Sequence, residues 1–154
     1  MNLTDRALDA LVAEKVMGEP MPTDVPDDII GLIMRSQPSP GGAWVCVVRY
    51  ADGDVPTWEP RRFSANIAAA WEVVEKILEL THPCPYPAPK YTGRGFRLEK
   101  RTEDQDDCDV WLCRLPETTA APPHEEMTYG VSAEDKSAPR AICLAALRAI
   151  GVEV

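Results

Sequence analysis

The sequence predicts an α/β fold of the α+β type: a three-layer α-β-α sandwich in which helices flank a small, mainly antiparallel sheet. Capped amphipathic segments typical of helices stand at the start, middle and end of the 154 residues, and strand-like segments lie between them. Two of those strand-like segments are apolar on both sides, as in a sheet that is covered on two faces. The length fits one domain, so residues 1–154 are expected to fold as a single unit.

The first and third helices are predicted from their ends. Thr4 is expected to cap the first helix and Gly18 to end it. Ser137 is expected to cap the third helix, with Pro139 in its first turn and Gly151 at its end. An apolar stripe at helical spacing predicts the buried face of the first helix: Leu8, Leu11, Val12 and Val16.

The middle helix has the strongest pattern in the chain. Ser64 is expected to cap it. Apolar residues follow at offsets of four, seven and eleven, which places them on one helical face: Ile67, Trp71, Val74 and Leu78. Trp71, at the centre of this stripe, is therefore expected to pack in the core.

Four segments between the helices are predicted to be strands. They are Ala43–Tyr50, Gly95–Arg101, Cys108–Leu115 and a last strand that contains Met127, Tyr129 and Val131. The acidic residues 103–107 would form the turn between the second and third of them. Prolines predict variable loops near residues 19–42, 82–90 and 116–124, with a short helix over Asp27 to Met34.

Charge and cysteine content exclude several classes of protein. The chain has 16 basic and 25 acidic residues, a net charge of -9. Duplex nucleic acid is therefore not an expected partner, because phosphate backbones bind basic surfaces. A small anion remains open as a partner, since it needs only a local basic pocket. Five cysteines without a Cys-x-x-Cys pair, no signal peptide and no apolar run near the ~20 residues of a membrane span predict a cytoplasmic protein without membrane contact.

Two arginines before the middle helix form the first candidate anion site. Arg61 and Arg62 stand just ahead of Ser64 and Asn66, where unpaired N–H groups and the helix dipole attract anions. Arg140, in the first turn of the third helix, repeats this arrangement. The alternative is that the serines at these positions only cap their helices, which is their ordinary use.

A basic cluster with interleaved aromatic residues forms the second candidate site. Its members are Lys90, Tyr91, Arg94, Phe96, Arg97, Lys100 and Arg101. Guanidinium groups such as those of Arg94 and Arg97 bind phosphate bidentately, and an aromatic ring such as Tyr91 stacks on a base. The alternative is a solvated strand face whose charges pair with Glu99 and Glu103.

The sequence contains no recognisable catalytic or metal-binding pattern. The acidic run 103–107 lacks the glycine and the distal glutamate of a calcium loop. His82, Cys84 and His124 are too few and too irregularly spaced for zinc, and the two histidines, both beside prolines, form no catalytic triad. Phosphate-binding glycine loops are absent as well. We therefore expect no enzyme activity, no cofactor and no metal.

Three helical blocks carry a family resemblance. They are LVAEKVMG at Leu11–Gly18, SANIAAAWEVVEK at Ser64–Lys76 and APRAICLAALRAIG at Ala138–Gly151. In content and order they resemble the phage ABA sandwich family, small phage and prophage proteins named for their α-β-α layers. The resemblance implies a phage origin, a homo-oligomer and no established enzyme activity. The segments between the blocks match less well, so the family implies no ligand site there.

By analogy with other small oligomeric phage proteins, the leading hypothesis is a non-enzymatic sponge in the host bacterial cytoplasm. It would sequester a nucleotide immune signal, a cyclic dinucleotide or an ADP-ribose derivative, and so inhibit anti-phage defence. Its ligand-binding residues would be Arg61, Arg62, Ser64, Asn66, Tyr91, Arg94, Arg97 and Arg140. The alternative is a host-takeover module that inhibits or redirects a host enzyme, docking through its acidic surface and the proline-rich segment His82–Pro89.

Overall fold

A computed structural model describes residues 3–26, 36–48, 53, 55–81, 96–103, 108–115 and 131–154. The elements in chain order are α1 (Asp5–Leu11), β1 (Gln37–Pro38), β2 (Trp44–Val48), β3 (Pro56–Pro60), α2 (Ile67–Thr81), β4 (Arg97–Glu103), β5 (Cys108–Leu115), β6 (Val131–Asp135) and α3 (Ala138–Ala149). A π-helical turn, Val12–Val16, continues α1. Within these ranges, three helices and two small antiparallel sheets form an α+β fold consistent with a sandwich, which confirms the predicted fold class.

Several predicted segments lie outside the described residues. They are the short helix at 27–34, the end of the strand at 49–50, the proline-rich segment 82–90, the acidic turn at 104–107, and Met127 and Tyr129 of the last strand. No helix in the part of the chain that the structure describes is both long and apolar enough to cross a membrane.

The strands form two three-stranded sheets instead of the single sheet that the sequence predicts. The first has the order β1-β2-β3 and the second β4-β5-β6. Neighbouring strands are antiparallel, and the register places Cys46 opposite Trp58 in the first sheet and Cys113 opposite Leu98 and Ala133 in the second. The hairpin of β4 and β5 confirms the strand predicted over Cys108–Leu115.

Strands β1 and β3 were not predicted. Both contain proline, which lacks an N–H and is poorly accommodated inside a sheet. Among the described strands each pairs with β2 alone, so each is an edge strand of the first sheet as described. Pro56 and Pro60 at the two ends of β3 are therefore tolerated, because an edge strand has one side that makes no ladder hydrogen bonds.

The ends of α1 and α3 follow the sequence prediction. Thr4 Oγ1 accepts a hydrogen bond from the Ala7 N–H at 3.3 Å, which confirms the predicted cap. Gly18 and Gly151 have φ angles of +71° and +82°, the left-handed conformation that ends helices. Ser137 occupies the N-cap position of α3 but makes no side-chain cap bond.

The predicted cap of α2 is wrong. The helix begins at Ile67, and Asn66 caps it: its Oδ1 accepts hydrogen bonds from the backbone N–H groups of Ala68 at 2.9 Å and Ala69 at 3.3 Å. Ser64 stands two residues earlier and is buried, with 3% of its surface exposed. Asparagine and serine are equally good caps, so local sequence alone does not distinguish the two positions.

Helix α3 forms the centre of the core. It packs against β5 and β6 and also against α1 and α2. Its buried residues are mostly small: Ala141, Ile142, Cys143, Ala145, Ala146 and Leu147. Small side chains let neighbouring elements approach α3 closely from more than one direction, and α1 contributes Leu8, Val12 and Val16 to the same cluster.

The predicted buried face of α2 is confirmed at Val74 and, in part, at Leu78, which packs against the core. The core residues of the helix are Ala69, Ala70, Val73, Val74 and Ile77. Ile67 and Trp71 are 45% and 44% exposed, so the prediction that Trp71 packs in the core is wrong. Helix α2 packs against the alanine-rich α3, and Trp71 lies outside the buried face of α2. There Trp71 meets Phe96 edge-on, with ring centroids 5.0 Å apart.

Glu19 joins the segment after α1 to the first sheet by hydrogen bonds. Its carboxylate accepts hydrogen bonds from the N–H groups of Gly41 and Ala43 at 3.1 and 2.9 Å, and its carbonyl oxygen accepts one from Trp44 Nε1 at 2.8 Å. This attachment holds the chain leaving α1 on the first sheet, and α1 itself contacts β3.

Candidate functional site

A cavity of about 240 Å³ lies between α1, strand β3 and the connection from β3 to α2. Its lining is mostly charged: Asp5, Arg6, Asp9, Glu59, Pro60, Arg62 and Ala65. We call it the α1–β3 cavity. It is smaller than the roughly 300–1,000 Å³ of pockets that enclose drug-sized ligands, so it has room for only part of such a molecule.

Arg6 and Arg62 are the positively charged residues of this lining, and both are exposed. Among the residues that the structure describes, neither guanidinium makes an ion pair or a side-chain hydrogen bond. A guanidinium without a carboxylate partner keeps its N–H donors available for bidentate contact with phosphate. Arg6 belongs to α1 and Arg62 precedes α2, so two separate segments bring such donors to one hollow.

Asp9 contributes a buried carboxylate to the same cavity. Only 3% of its surface is exposed, and its Oδ1 accepts a hydrogen bond from the Ser64 N–H at 2.6 Å. Burial raises the pKa of Asp9 above its ordinary value, although the hydrogen bond from the Ser64 backbone acts in the opposite direction. Within the described ranges no lysine or arginine pairs with this carboxylate. Buried acids without a cationic partner are typical of functional sites.

Ser64 positions Asp9 through its backbone. Its N–H binds the Asp9 carboxylate, and its carbonyl oxygen accepts a hydrogen bond from Ser137 Oγ at 3.4 Å, which links the site to the start of α3. The Ser64 hydroxyl is buried and also acts on Asp9, where it lowers the pKa of the carboxyl, although it makes no hydrogen bond of standard geometry with the described residues. Ser64, predicted as a ligand contact, therefore lies behind the cavity lining and holds one member of it in place.

Arg61, the sequence neighbour of Arg62, is engaged by the protein itself. Its Nη1 and Nη2 donate to the two carboxylate oxygens of Glu72 at 2.5 and 2.7 Å. Its guanidinium also lies 5.9 Å from the ring centroid of Phe63. Asn66 is used as the cap of α2. Of the four residues predicted around this helix start, only Arg62 lines the cavity.

Arg140 forms the centre of a second charged group, which we call the Arg140 cluster. Its guanidinium donates to the Asp5 carboxylate, to Asp135 Oδ2 at 3.0 Å and to the Leu3 carbonyl oxygen at 2.6 Å. The Arg140 side chain is 16% exposed. The cluster joins the start of α1 and the end of β6 to the first turn of α3. Arg140 does not line the cavity, but it binds Asp5, which does.

The second basic cluster does not reach the cavity with its described members. Arg97 is 53% exposed and pairs with Glu99, and Arg101 pairs with Glu99 and Glu134. These pairs correspond to the alternative of a solvated strand face. Tyr91 and Arg94, predicted to stack on a base and to bind phosphate, lie outside the described residues.

Of the charged residues that line the cavity, the sequence predicts only Arg62 and misses Asp5, Arg6, Asp9 and Glu59. Arg6 has no pattern around it that distinguishes it from an ordinary surface arginine. Asp9 has a usable signal: it stands three residues before Val12 and seven before Val16, on the apolar side of the first helix. A charged residue at a buried helical position indicates a special role. Its partner Ser64 is 55 residues away, so the pairing itself was not predictable.

The described cysteines are ordinary buried residues. Cys46, Cys113 and Cys143 are free and buried. Burial raises the pKa of all three thiols, that of Cys113 to about 12. Such thiols stay protonated at neutral pH and behave as small apolar side chains. In the part of the chain that the structure describes, no group of three or more histidine, cysteine, aspartate or glutamate residues is arranged to hold a metal ion.

Comparison with known proteins identifies the family. Residues 10–147 match the phage ABA sandwich domain, so the match begins directly after Asp9 and includes the connection to α2 and nearly all of α3. Comparison with curated proteins and with solved structures finds no significant match. The match spans well over half of the chain and confirms the resemblance seen in the three helical blocks. The chain belongs to the phage ABA sandwich domain family.

Proposed function

We propose that this phage protein binds a small phosphate-bearing molecule of the nucleotide type in the α1–β3 cavity and sequesters it without turnover. The ligand would be an immune signal of the host bacterium, a cyclic dinucleotide or an ADP-ribose derivative, removed in the host cytoplasm by mass action. One observation carries the proposal: Arg6 and Arg62 come from separate segments to one cavity, and neither has an acidic partner among the described residues.

The local charge pattern supports anion binding on an otherwise acidic protein. The net charge of -9 repels anions at long range, but salt screens such fields beyond about 8 Å at physiological ionic strength. Of the three acidic residues in the lining, Asp5 is neutralised by Arg140. Asp9 and Glu59 are the other carboxylates that the two arginines face.

The size of the cavity supports a ligand that is shared between subunits. A volume of about 240 Å³ encloses only part of a nucleotide. We therefore propose a symmetric homo-oligomer, in which a second copy of the chain contacts the part of the ligand that lies outside. A pocket completed by a neighbouring subunit also gives high affinity without a large cavity in either copy.

Titration calorimetry against cyclic dinucleotides, cyclic ADP-ribose isomers and AMP tests the proposal. Arg62→Gln and Arg6→Gln are each expected to weaken binding roughly tenfold or more, the size of a lost charge-assisted contact. Arg61→Gln is the matched control: it changes the adjacent residue in the same way, and we expect affinity to stay within about twofold because Arg61 is already held by Glu72.

The fate of the ligand distinguishes a sponge from an enzyme. After binding and heat denaturation, chromatography should recover the nucleotide unchanged. Conversion of the nucleotide on incubation would show an enzyme, and failure of every nucleotide in the panel to bind would overturn the proposal.

A second function has its own supporting observation. Ile67 and Trp71 form an exposed apolar surface on α2 beside Phe96, and tryptophan is enriched at protein–protein contacts. This favours the host-takeover module as the second candidate. Capture of a stoichiometric host protein by wild type, lost in Trp71→Ala but kept in Leu80→Ala, would support it. Leu80 is a suitable control because it is also apolar and 52% exposed on the same helix.

A further inference from the structure

Asp9 allows the bound part of the ligand to be specified. We infer that the α1–β3 cavity takes a ribose–phosphate unit, with the phosphate on Arg6 and Arg62 and a ribose hydroxyl on the Asp9 carboxylate. This inference rests on the proposed function and adds to it the chemical group that determines specificity. It follows from the donors and acceptors that line the cavity and from its volume.

An ionised carboxylate accepts hydrogen bonds and donates none. One oxygen of Asp9 already accepts from the Ser64 N–H, and no cationic side chain of the described residues pairs with the carboxylate. The Ser64 hydroxyl and the Phe63 N–H also interact with this carboxylate. A ligand that brings its own donor would occupy the acceptor position that these three groups leave. Phosphate at neutral pH is mainly an acceptor and carries negative charge, so a phosphate group alone leaves Asp9 unmatched and repels it.

A hydroxyl suits this position better than an ammonium group. Arg6 and Arg62 share the small cavity with Asp9, so a ligand ammonium group on Asp9 would lie near two guanidinium groups, although the lining also carries Asp5 and Glu59. The local environment of Asp9 also disfavours charge, since burial raises its pKa. A neutral donor satisfies the carboxylate without a further desolvated charge. Carboxylates bind ribose hydroxyls in this way in dinucleotide-binding proteins.

The volume is consistent with one sugar–phosphate unit. About 240 Å³ is too small for a complete dinucleotide, and Pro60 and Ala65 add only small apolar surfaces to the lining. The base would therefore lie outside this cavity. On this basis different nucleotides that share ribose and phosphate bind the single chain similarly, and base selectivity arises elsewhere.

Wild-type protein and three probes provide the test. Titration calorimetry compares AMP, dideoxy-AMP, which lacks both ribose hydroxyls, and phosphoethanolamine. AMP is expected to bind roughly tenfold or more tightly than dideoxy-AMP, because a hydrogen bond to a charged acceptor is lost in the analogue. Phosphoethanolamine is expected to bind more weakly than AMP.

Asp9→Asn tests whether Asp9 is responsible for the preference for AMP over dideoxy-AMP. Asparagine keeps an oxygen for the Ser64 N–H but removes the negative charge, so the AMP preference should fall to about twofold while phosphate still competes for the site. Asp24→Asn is the matched control. It makes the same change at an exposed aspartate that does not line the cavity, so the full preference should remain.

The outcomes separate this inference from the proposed function. Equal affinity of wild type for AMP and dideoxy-AMP overturns the ribose inference and leaves phosphate binding in place. Tighter binding of phosphoethanolamine also overturns it, because the donor is then an ammonium group. Failure of all three probes to bind overturns the inference and the proposed function together. If Asp9→Asn does not fold, the comparison of AMP with dideoxy-AMP and phosphoethanolamine on wild type still tests the ribose inference.

Discussion

The Arg140 cluster and the α1–β3 cavity lie on either side of Asp5 and use arginine in opposite ways. In the cluster, Arg140 has three protein acceptors on two other segments of the chain, the start of α1 and the end of β6, and its side chain is 16% exposed. In the cavity, Arg6 and Arg62 are exposed and have no such acceptor among the described residues. An arginine that is paired within the folded chain stabilises the fold. An arginine without such a partner is available to a ligand.

Two adjacent residues show the same contrast at the smallest scale. Arg61 and Arg62 have identical side chains and stand together before α2, yet only Arg61 meets Glu72. The direction in which each side chain leaves the chain decides its partner. The number of arginines in a segment therefore says little about anion binding until the partners of each one are known.

The largest expected effect is on the stability that the Arg140 cluster provides. Arg140→Ala removes three charge-assisted contacts and leaves Asp135 partly buried without its partner, so the free energy of unfolding should fall by about 2–4 kcal/mol. Urea unfolding followed by circular dichroism measures this loss. Arg97→Ala is the control, because Arg97 is 53% exposed and its pair with Glu99 should contribute less than about 1 kcal/mol. Equal losses of unfolding free energy in Arg140→Ala and Arg97→Ala would contradict the expectation that Arg140 stabilises the fold more than the exposed Arg97 does.

The fold was predictable where local rules decide it. Thr4, Gly18 and Gly151 end their helices as expected, since caps and left-handed glycines depend on neighbouring residues only. The buried face of α2 was not predictable in the same way. Ile67 and Trp71 fit helical spacing as well as the buried Val73, Val74 and Ile77 do, and the packing of α2 in the assembled fold decides which of them are buried. The edge position that tolerates Pro56 in β3 is likewise a property of the assembled sheet.

The site was predictable only in part, because most of it depends on distant contacts. Arg62 was singled out for its place before a helix, and it does line the cavity. Arg61 satisfied the same criterion but pairs with Glu72, eleven residues on. Asp9 meets Ser64 across 55 residues, a contact that sequence periodicity does not contain. Local sequence therefore identifies charged candidates, and the tertiary fold selects among them.

The next effect concerns the stability cost of the buried Asp9. At neutral pH the free energy of unfolding of Asp9→Asn should be about 1 kcal/mol higher than that of wild type. The reason is that asparagine keeps the acceptor for the Ser64 N–H without a buried charge. Burial raises the pKa of Asp9 above its ordinary value of 3.8. At pH values between 3.8 and the raised pKa of the folded state, the folded protein binds more protons than the unfolded protein. The stability of wild type therefore falls as pH rises through this range. The advantage of Asp9→Asn should therefore shrink as pH is lowered towards about 4.

Urea unfolding of both proteins at a series of pH values from about 4 to about 7 measures this difference. Glu99→Gln is a suitable control, since Glu99 lies on β4 and pairs with Arg97 and Arg101. An advantage of Asp9→Asn that grew on acidification would contradict the assignment of Asp9 as a carboxylate whose charge destabilises the folded state.

The smallest expected effect is the most direct test of the contrast between Arg61 and Arg62. Arg62→Gln should change the free energy of unfolding by less than about 0.5 kcal/mol, because among the described residues its guanidinium makes no contact that folding would lose. Arg61→Gln should cost about 0.5–1 kcal/mol, since it breaks a bidentate but partly exposed pair with Glu72. Raising the salt concentration should lower the stability of wild type and of Arg62→Gln alike, while Arg61→Gln should respond less. A larger loss in Arg62→Gln than in Arg61→Gln would show that Arg62 supports the fold, and the distinction between the neighbouring arginines would then be lost.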